Sequence, residues 1–282
     1  MQGETGRQIL NAVVTGQLSA AQGAQAFVTG AMMAQGAGLE TLGAVVPGRL
    51  AGLAADGRAL STLLYLPAIT TAQGMQYGLS ADVAMVRGLN QLAMLAASTI
   101  ADTARTATQV AMTAEPRCIS YVRVVRLPAC SRCIILAGRQ YSYSTGFQRH
   151  PKCDCGMEPL SQSEWRASSD ADDLYKKMSP DERVKRFGKD AVEAIDNGAD
   201  IAQVVNSRRG MATTTTGKRV TTEGTTRRGI GGKALDSGFD KAKGQRYSRA
   251  REARLMPEQI IKQARGDREL QCALLRKHGY IT

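Results

Sequence analysis

Apolar residues recur at three- and four-residue steps through the first third of the chain, and residues 7–113 read as helices on that pattern. The clearest is a long helix starting near Ser80. Val83, Val86, Leu89, Ala93, Ala96 and Ile100 form one apolar face, with Ser80 as N-cap and Asp82 beside the positive helix end. Ser19-Ala-Ala-Gln22 has the form of a capping box and predicts another helix start. Gly30, Gly36, Gly38, Gly43, Gly48, Gly52 and Gly57 predict short helices and turns between the two, and Pro116 marks the end of the long helix.

The period then changes. Ile119-Ser-Tyr-Val-Arg-Val-Val-Arg126 is β-branched and partly alternating, which predicts a strand leading into a turn at Cys130-x-x-Cys133. Ile134, Ile135, Leu136, Gly138 and Tyr141 predict a hairpin after that turn. Helical signals resume at Ser179-Pro180-Asp181-Glu182, with Phe187, Val192 and Ile195 as the apolar side and Asn197-Gly198 as the stop. Asp200 caps a shorter helix through Val204 and Val205, ending at Gly210. Pro257 opens a helix carrying Ile260 and Ile261, and Asp267 caps one carrying Leu270, Leu274 and Leu275 that Gly279 stops. The fold class expected is mainly α, in five stretches. A helical Ala/Gly-rich region (1–113) precedes a small β-containing zinc-knuckle module (114–165) and a helical part of the same core (166–210). A basic Thr/Gly-rich linker (211–245) and a basic helical tail (246–282) follow.

Composition adds a partner class. Aromatic residues make up 5% of the 282, and Trp165 is the one tryptophan, so the interior of the first third is built from small side chains. Met32, Met33, Met85 and Met94 read as core filler. No basic start followed by an apolar run marks a secretory signal, and the longest apolar stretches are expected to fall short of a membrane span. Small residues at helical spacing then imply packing against a protein partner. The net charge is +12 and the pI about 9.7, a balance that favours a polyanion or an acidic surface as partner. The bases concentrate after Ile201, where the positive excess is about eleven. Lys218-Arg219, Arg227-Arg228 and a helical stripe of Arg246, Arg249, Arg251 and Arg254 are the residues expected to track nucleic-acid phosphates. Tyr247 alone interleaves them, which does not make a base-stacking platform.

The strongest chemical signal is Cys130-x-x-Cys133 followed by His150-x-x-Cys153-x-Cys155, five candidate ligands within 26 residues. Thiolates and imidazole at this spacing point to one tetrahedral zinc, and such cysteine usage suits a reducing compartment. Zinc takes four ligands: Cys130 and Cys133 act together, and two of His150, Cys153 and Cys155 complete the set. In a strict strand Cys153 and Cys155 share a face, leaving His150 as a ligand or an outer-shell partner. Cys118 reads as a small core residue, and His278 as a cation capping a helix end. A thiolate-rich site is closed and structural, so no enzymatic activity is expected. A zinc-dependent nuclease would need more imidazoles than His150 and His278, and a deaminase would need the glutamate that His150-Pro151-Lys152 lacks. A redox Cys-x-x-Cys wants a helix after it, which Ile134, Ile135 and Gly138 argue against. A zinc-dependent nuclease and a free nucleic-acid-binding protein are the two alternatives.

Several blocks carry a resemblance. Ala114-Glu-Pro-Arg117, Arg123-Val-Val-Arg126, Cys130-Ser-Arg-Cys133, Tyr141, Phe147 and His150-Pro-Lys-Cys-Asp-Cys155 come first. Phe187-Gly-Lys189, Gly198 through Met211, Thr221 through Gly229, Arg254 through Gln259 and His278-Gly-Tyr280 follow in order. Together they resemble the MuF-like minor capsid proteins of tailed bacteriophages, in the form found in phages and prophages of actinobacteria. The resemblance covers most of residues 80–282. It implies a low-copy, portal-associated protein of the phage head interior, made in the host cytoplasm, touching portal and other capsid proteins and packaged double-stranded DNA. Aid to head assembly or genome delivery is implied, enzymatic activity is not, and Cys130, Cys133, His150, Cys153 and Cys155 are implied as its metal-type residues.

Overall fold

In a computed structural model, residues 3–161, 169–222, 239–240, 243–244 and 249–281 are described. The fold is mainly α with small antiparallel sheets. The chain divides into two compact units, Met1–Arg126 with Gly138–Ser168, and Leu127–Ala137 with Ser169–Thr282.

The first unit opens with helices α1 (Glu4–Gln22) and α2 (Ala24–Ala34). Ser19 lies inside α1, not at a helix start, and the break falls at Gly23. The reason is a continuous buried stripe: Val13, Gln17, Ala21, Ala24, Val28 and Met32 follow at four- and three-residue steps straight across Gly23. Gln17 anchors the glycine-rich stretch below. Its Nε2 donates to the Leu53 carbonyl at 2.8 Å and to Thr103 Oγ1 at 2.9 Å, while its Oε1 accepts from Gly52 N at 2.9 Å. That stretch is turns, with a single 3-10 turn at Pro47–Arg49.

Helices α3 (Leu60–Gln76) and α4 (Ala81–Thr113) pair closely. A Cβ on Gly88 would meet Thr71 Oγ1 at 2.1 Å and the Pro67 carbonyl oxygen at 3.1 Å, so only glycine fits that crossing. The apolar face expected on α4 is not the buried one. Val83, Val86 and Leu89 are 46%, 56% and 60% exposed, and Met85 is exposed beside them; the buried positions are Ala84, Gly88, Thr99, Thr103, Arg105, Ala107, Ala111 and Met112. Around Gly88 small residues win because they let the helix axes approach, and Val83, Val86 and Leu89 beside them are left outside. Only Ala96 and Ile100 of the expected face pack against the core of Val13, Leu60 and Leu64. Contrary to the sequence expectation, α4 is long and apolar enough to cross a membrane by length and composition: its most apolar 18-residue window averages a hydropathy of 1.2.

Beyond α4, buried Glu115 ties down the loop between α2 and α3. It accepts from Glu40 N, from Arg117 N at 3.2 Å and from Thr41 Oγ1 at 2.8 Å. Burial pushes its pKa up, but the bonds from Thr41, Arg117 and Glu40 outweigh this and hold it below the usual carboxylate value. Strands β1 (Ser120–Val124), β2 (Gln140–Ser142) and β3 (Gly156–Leu160) form an antiparallel sheet with β1 central, Tyr121 lying opposite Tyr141 and Pro159.

The second unit contains α5 (Ser131–Ile134), α6 (Ala171–Lys177), α7 (Pro180–Phe187), α8 (Lys189–Asp196) and α9 (Ile201–Asn206). Helix α5 is a single turn at the Cys130–Cys133 step that ends at Ile134; residues 135–138 are turns, and the strand of the expected hairpin comes at β2. Buried Ile134 and Ile135 close a single helical turn. The Ser179 capping box forms in both directions with Glu182. Gly188, at φ 85°, splits one expected helix into α7 and α8.

The expected linker is structured at its start: β4 (Met211–Thr213) and β5 (Arg219–Thr221) pair, and β5 continues to β8 (Arg254–Leu255). Strands β6 (Phe239–Asp240) and β7 (Arg249–Ala250) pair with each other. Helices α10 (Pro257–Ala264) and α11 (Arg268–Lys277) end the chain, with Asp267 capping α11 through Leu270 N at 3.0 Å. Ile260, Leu275 and Tyr280 are buried, and Tyr175 meets Phe187 edge-on at 5.4 Å.

Candidate metal centre

The five sequence-predicted ligands fall on two short segments. Cys130 and Cys133 bracket one helical turn in the second unit. Cys130 has extended backbone at the N-cap of α5, and Cys133 N donates to its carbonyl at 3.0 Å. A three-residue step on that turn brings the two sulfurs within 4.8 Å of each other.

His150, Cys153 and Cys155 lie in the first unit, just before β3. A tight turn sets them up: Cys153 N donates to the His150 carbonyl at 3.1 Å, and Lys152 takes a left-handed φ of 62° with its N–H on Ser98 Oγ at 3.1 Å. Residues 153–155 are irregular and not the strict strand expected, yet the Cys153 and Cys155 sulfurs still lie within 4.8 Å of each other. His150 Nδ1 sits 2.7 Å from the Pro151 carbonyl oxygen. A proton on Nδ1 in that contact makes Nε2 the acceptor nitrogen, the form of imidazole that binds zinc.

Two buried arginines grip the Cys153-Asp-Cys155 segment. From α4, Arg105 donates through Nε to the Cys155 carbonyl at 2.7 Å and through an Nη to the Cys153 carbonyl, while its other Nη meets Asp102 at 2.8 Å. Arg149 also pairs with Asp102. From β1, Arg123 is 2% exposed and donates through Nη2 to Cys155 Sγ at 3.3 Å and toward Cys153 Sγ at 3.7 Å. Its guanidinium lies 4.2 Å from the centre of the Phe147 ring and donates to the Gln148 carbonyl at 3.3 Å. Burial lowers the Arg123 pKa, but the hydrogen bond to Cys155 and the charges of Cys155 and Cys153 reverse this and leave it raised. The donor set suits zinc. In a tetrahedron with zinc–sulfur distances of about 2.3 Å two sulfurs stand about 3.8 Å apart, which pairs held within 4.8 Å can reach.

Cys118 is buried as expected, and burial pushes its thiol up to about 11. His278 differs from expectation. Burial, then Lys277 and Arg254, lower its pKa below 6.5, so at neutral pH it is an uncharged C-cap of α11.

The basic residues scatter. Arg227, Arg228 and Arg246 lie outside the described residues, as do Trp165 and Tyr247. Lys218 and Arg219 are exposed at the β4–β5 turn, and Arg251 is exposed. The expected helical stripe does not form, since Arg249 lies in β7 and Arg254 in β8. Arg254 is 4% exposed and packs 4.0 Å from the centre of the Tyr280 ring, donating to the His278 carbonyl at 2.8 Å and to Gln203 Oε1 at 3.0 Å. It is a core residue of the second unit and is withdrawn from the phosphate-facing set.

Sequence reasoning missed Arg105, Arg123 and Asp102. Signals were present: Asp102 and Arg105 are the only charges between Arg87 and Glu115, and Arg123 shares strand parity with Tyr121, placing a cation on an inward face.

Residues 75–180 match the family described as VG15 protein, a phage-associated viral family. No curated protein and no solved structure matches the chain.

Proposed function

We propose that this chain is a minor capsid protein of a tailed phage, of MuF-like type. It is read as associated with the portal inside the head and as aiding head assembly or genome delivery without enzymatic activity of its own. What carries the reading is that the stretch similar to a phage-associated family, residues 75–180, includes both preformed ligand pairs. One pair supplies half of a tetrahedral zinc site. Cys130 and Cys133 would join two of His150, Cys153 and Cys155 on one ion, whose closure supplies folding energy that a small β element cannot gain by burial.

The exposed apolar surface of α3 and α4, with Val83, Val86 and Leu89, is read as the face toward portal or neighbouring capsid subunits. A protein surface is favoured over a lipid one because Asp102 and Arg105 carry charge into α4 and are held by polar partners, an arrangement costly in hydrocarbon. Packaged DNA would meet Lys218, Arg219, Arg227, Arg228, Arg246, Arg249 and Arg251 through phosphates alone.

Mass spectrometry and zinc analysis of purified particles test the reading together. The protein is expected in the particle at low copy with one zinc per chain. Its absence from particles would favour a free nucleic-acid-binding protein, and metal-dependent cleavage of plasmid DNA by the purified chain would favour a nuclease.

A further inference from the structure

The two arginines on the Cys153-Asp-Cys155 segment act on different atoms. Arg105 takes the carbonyls of Cys153 and Cys155 and so fixes the backbone of the segment to α4. Arg123 takes the sulfurs: one Nη faces both Cys155 Sγ at 3.3 Å and Cys153 Sγ at 3.7 Å. A guanidinium is costly to bury unless negative charge or ordered acceptors meet it, and Arg123 is 2% exposed. Cysteine sulfurs that ligate zinc carry that negative charge. The Phe147 ring, 4.2 Å away, and the Gln148 carbonyl hold the guanidinium from its other sides, so its aim does not depend on the sulfurs alone.

We propose that Arg123 is an outer-shell positioning residue of the metal site. Resting on the zinc reading above, it holds Cys153 and Cys155 as one two-sulfur arm and offsets the negative charge the arm acquires when it binds the ion. Partners of this kind orient ligands and tune the metal without touching it. Lysine keeps the charge, but its compact ammonium lacks the planar fork that arginine aims between aromatic ring, carbonyl and sulfurs.

The test uses the full-length chain with Zn2+ and with Co2+ as probe ions. Zinc affinity is measured by competition with a chromogenic chelator. Arg123→Gln is expected to weaken it about 10- to 100-fold and Arg123→Lys by an intermediate factor. Arg126→Gln removes the same charge from an exposed position nearby and is expected to leave affinity within about twofold if the sulfur contacts matter. In the cobalt-loaded protein, the sulfur-to-metal charge-transfer band should shift in Arg123→Lys and not in Arg126→Gln, a response that a packing role would not produce. The lysine variant keeps this reading available if the glutamine variant does not fold. Equal affinities for wild type and a folded Arg123→Gln, or an unmoved band in Arg123→Lys, would overturn the inference alone. A wild-type chain that takes up neither ion would overturn the zinc reading and this inference with it.

Discussion

The α3–α4 pair of the first unit and the closing helices of the second are built on opposite packing rules. In α3 and α4 the contact runs through Gly88, Ala84 and Thr71, and Val86 and Leu89 stay outside. In α10 and α11 large side chains carry the packing: Ile260, Ile261 and Leu275 are buried, with Tyr280 against Arg254, while Leu270 is exposed. Close backbone approach gains dispersion contacts but removes little apolar area from water, whereas burying Ile, Leu and Tyr removes much. The second arrangement takes its apolar surface out of water within the unit. The first leaves a surface that another protein can cover.

Replacing one side chain on each side of this contrast would break it most directly. Ile260→Ala empties a buried site and should cost about 2–5 kcal/mol in denaturant unfolding. A loss under about 1 kcal/mol would mean that α10 packs less tightly than described.

Glu115 tests whether the small-residue half depends on polar anchors instead of area. Glu115→Gln keeps the shape but weakens the bonds to Thr41, Arg117 N and Glu40 N, and should cost about 1–3 kcal/mol. Its folded-state pKa is lowered from 4.5. The wild-type advantage is therefore fully present above that value and is lost as pH falls through the folded pKa. Unfolding curves of the two proteins should converge in acid; a difference independent of pH would remove the carboxylate from the explanation.

The smallest effect is expected outside. Val86→Ser and Leu89→Ser should change the stability of the isolated chain by no more than about 0.5 kcal/mol. The same changes should lower recovery of the protein in assembled particles. If they destabilise the free chain as much as Ile260→Ala does, the face is part of its own core.

Much of the second unit was legible in sequence because its signals are local. Ser179, Asp200 and Asp267 cap their helices through bonds to N–H groups three residues on, which need no distant partner. The ligand residues were legible for a similar reason: a three-residue step on one turn and a one-residue gap put each sulfur pair within local reach. The α4 face was misread because periodicity reports that a stripe exists, not which stripe a neighbouring helix will take. The choice fell to the crossing at Gly88, where Pro67 and Thr71 leave no room for a side chain.

The basic residues teach the same point. Their number and position in the chain set the charge excess, but Arg254 is buried against Tyr280 because β8 joins β5, a pairing between residues 254–255 and 220–221 that no local rule foresees. The sequence by itself determined the helical class, the caps, the charge asymmetry and the cysteine and histidine set. Tertiary structure alone decided which apolar face is buried, which arginine leaves solvent, and that Arg105 and Arg123 reach Cys153 and Cys155 from 48 and 32 residues away. Capping and ligand spacing are settled within one turn of chain, whereas a guanidinium finds its sulfur only after helix and sheet have packed.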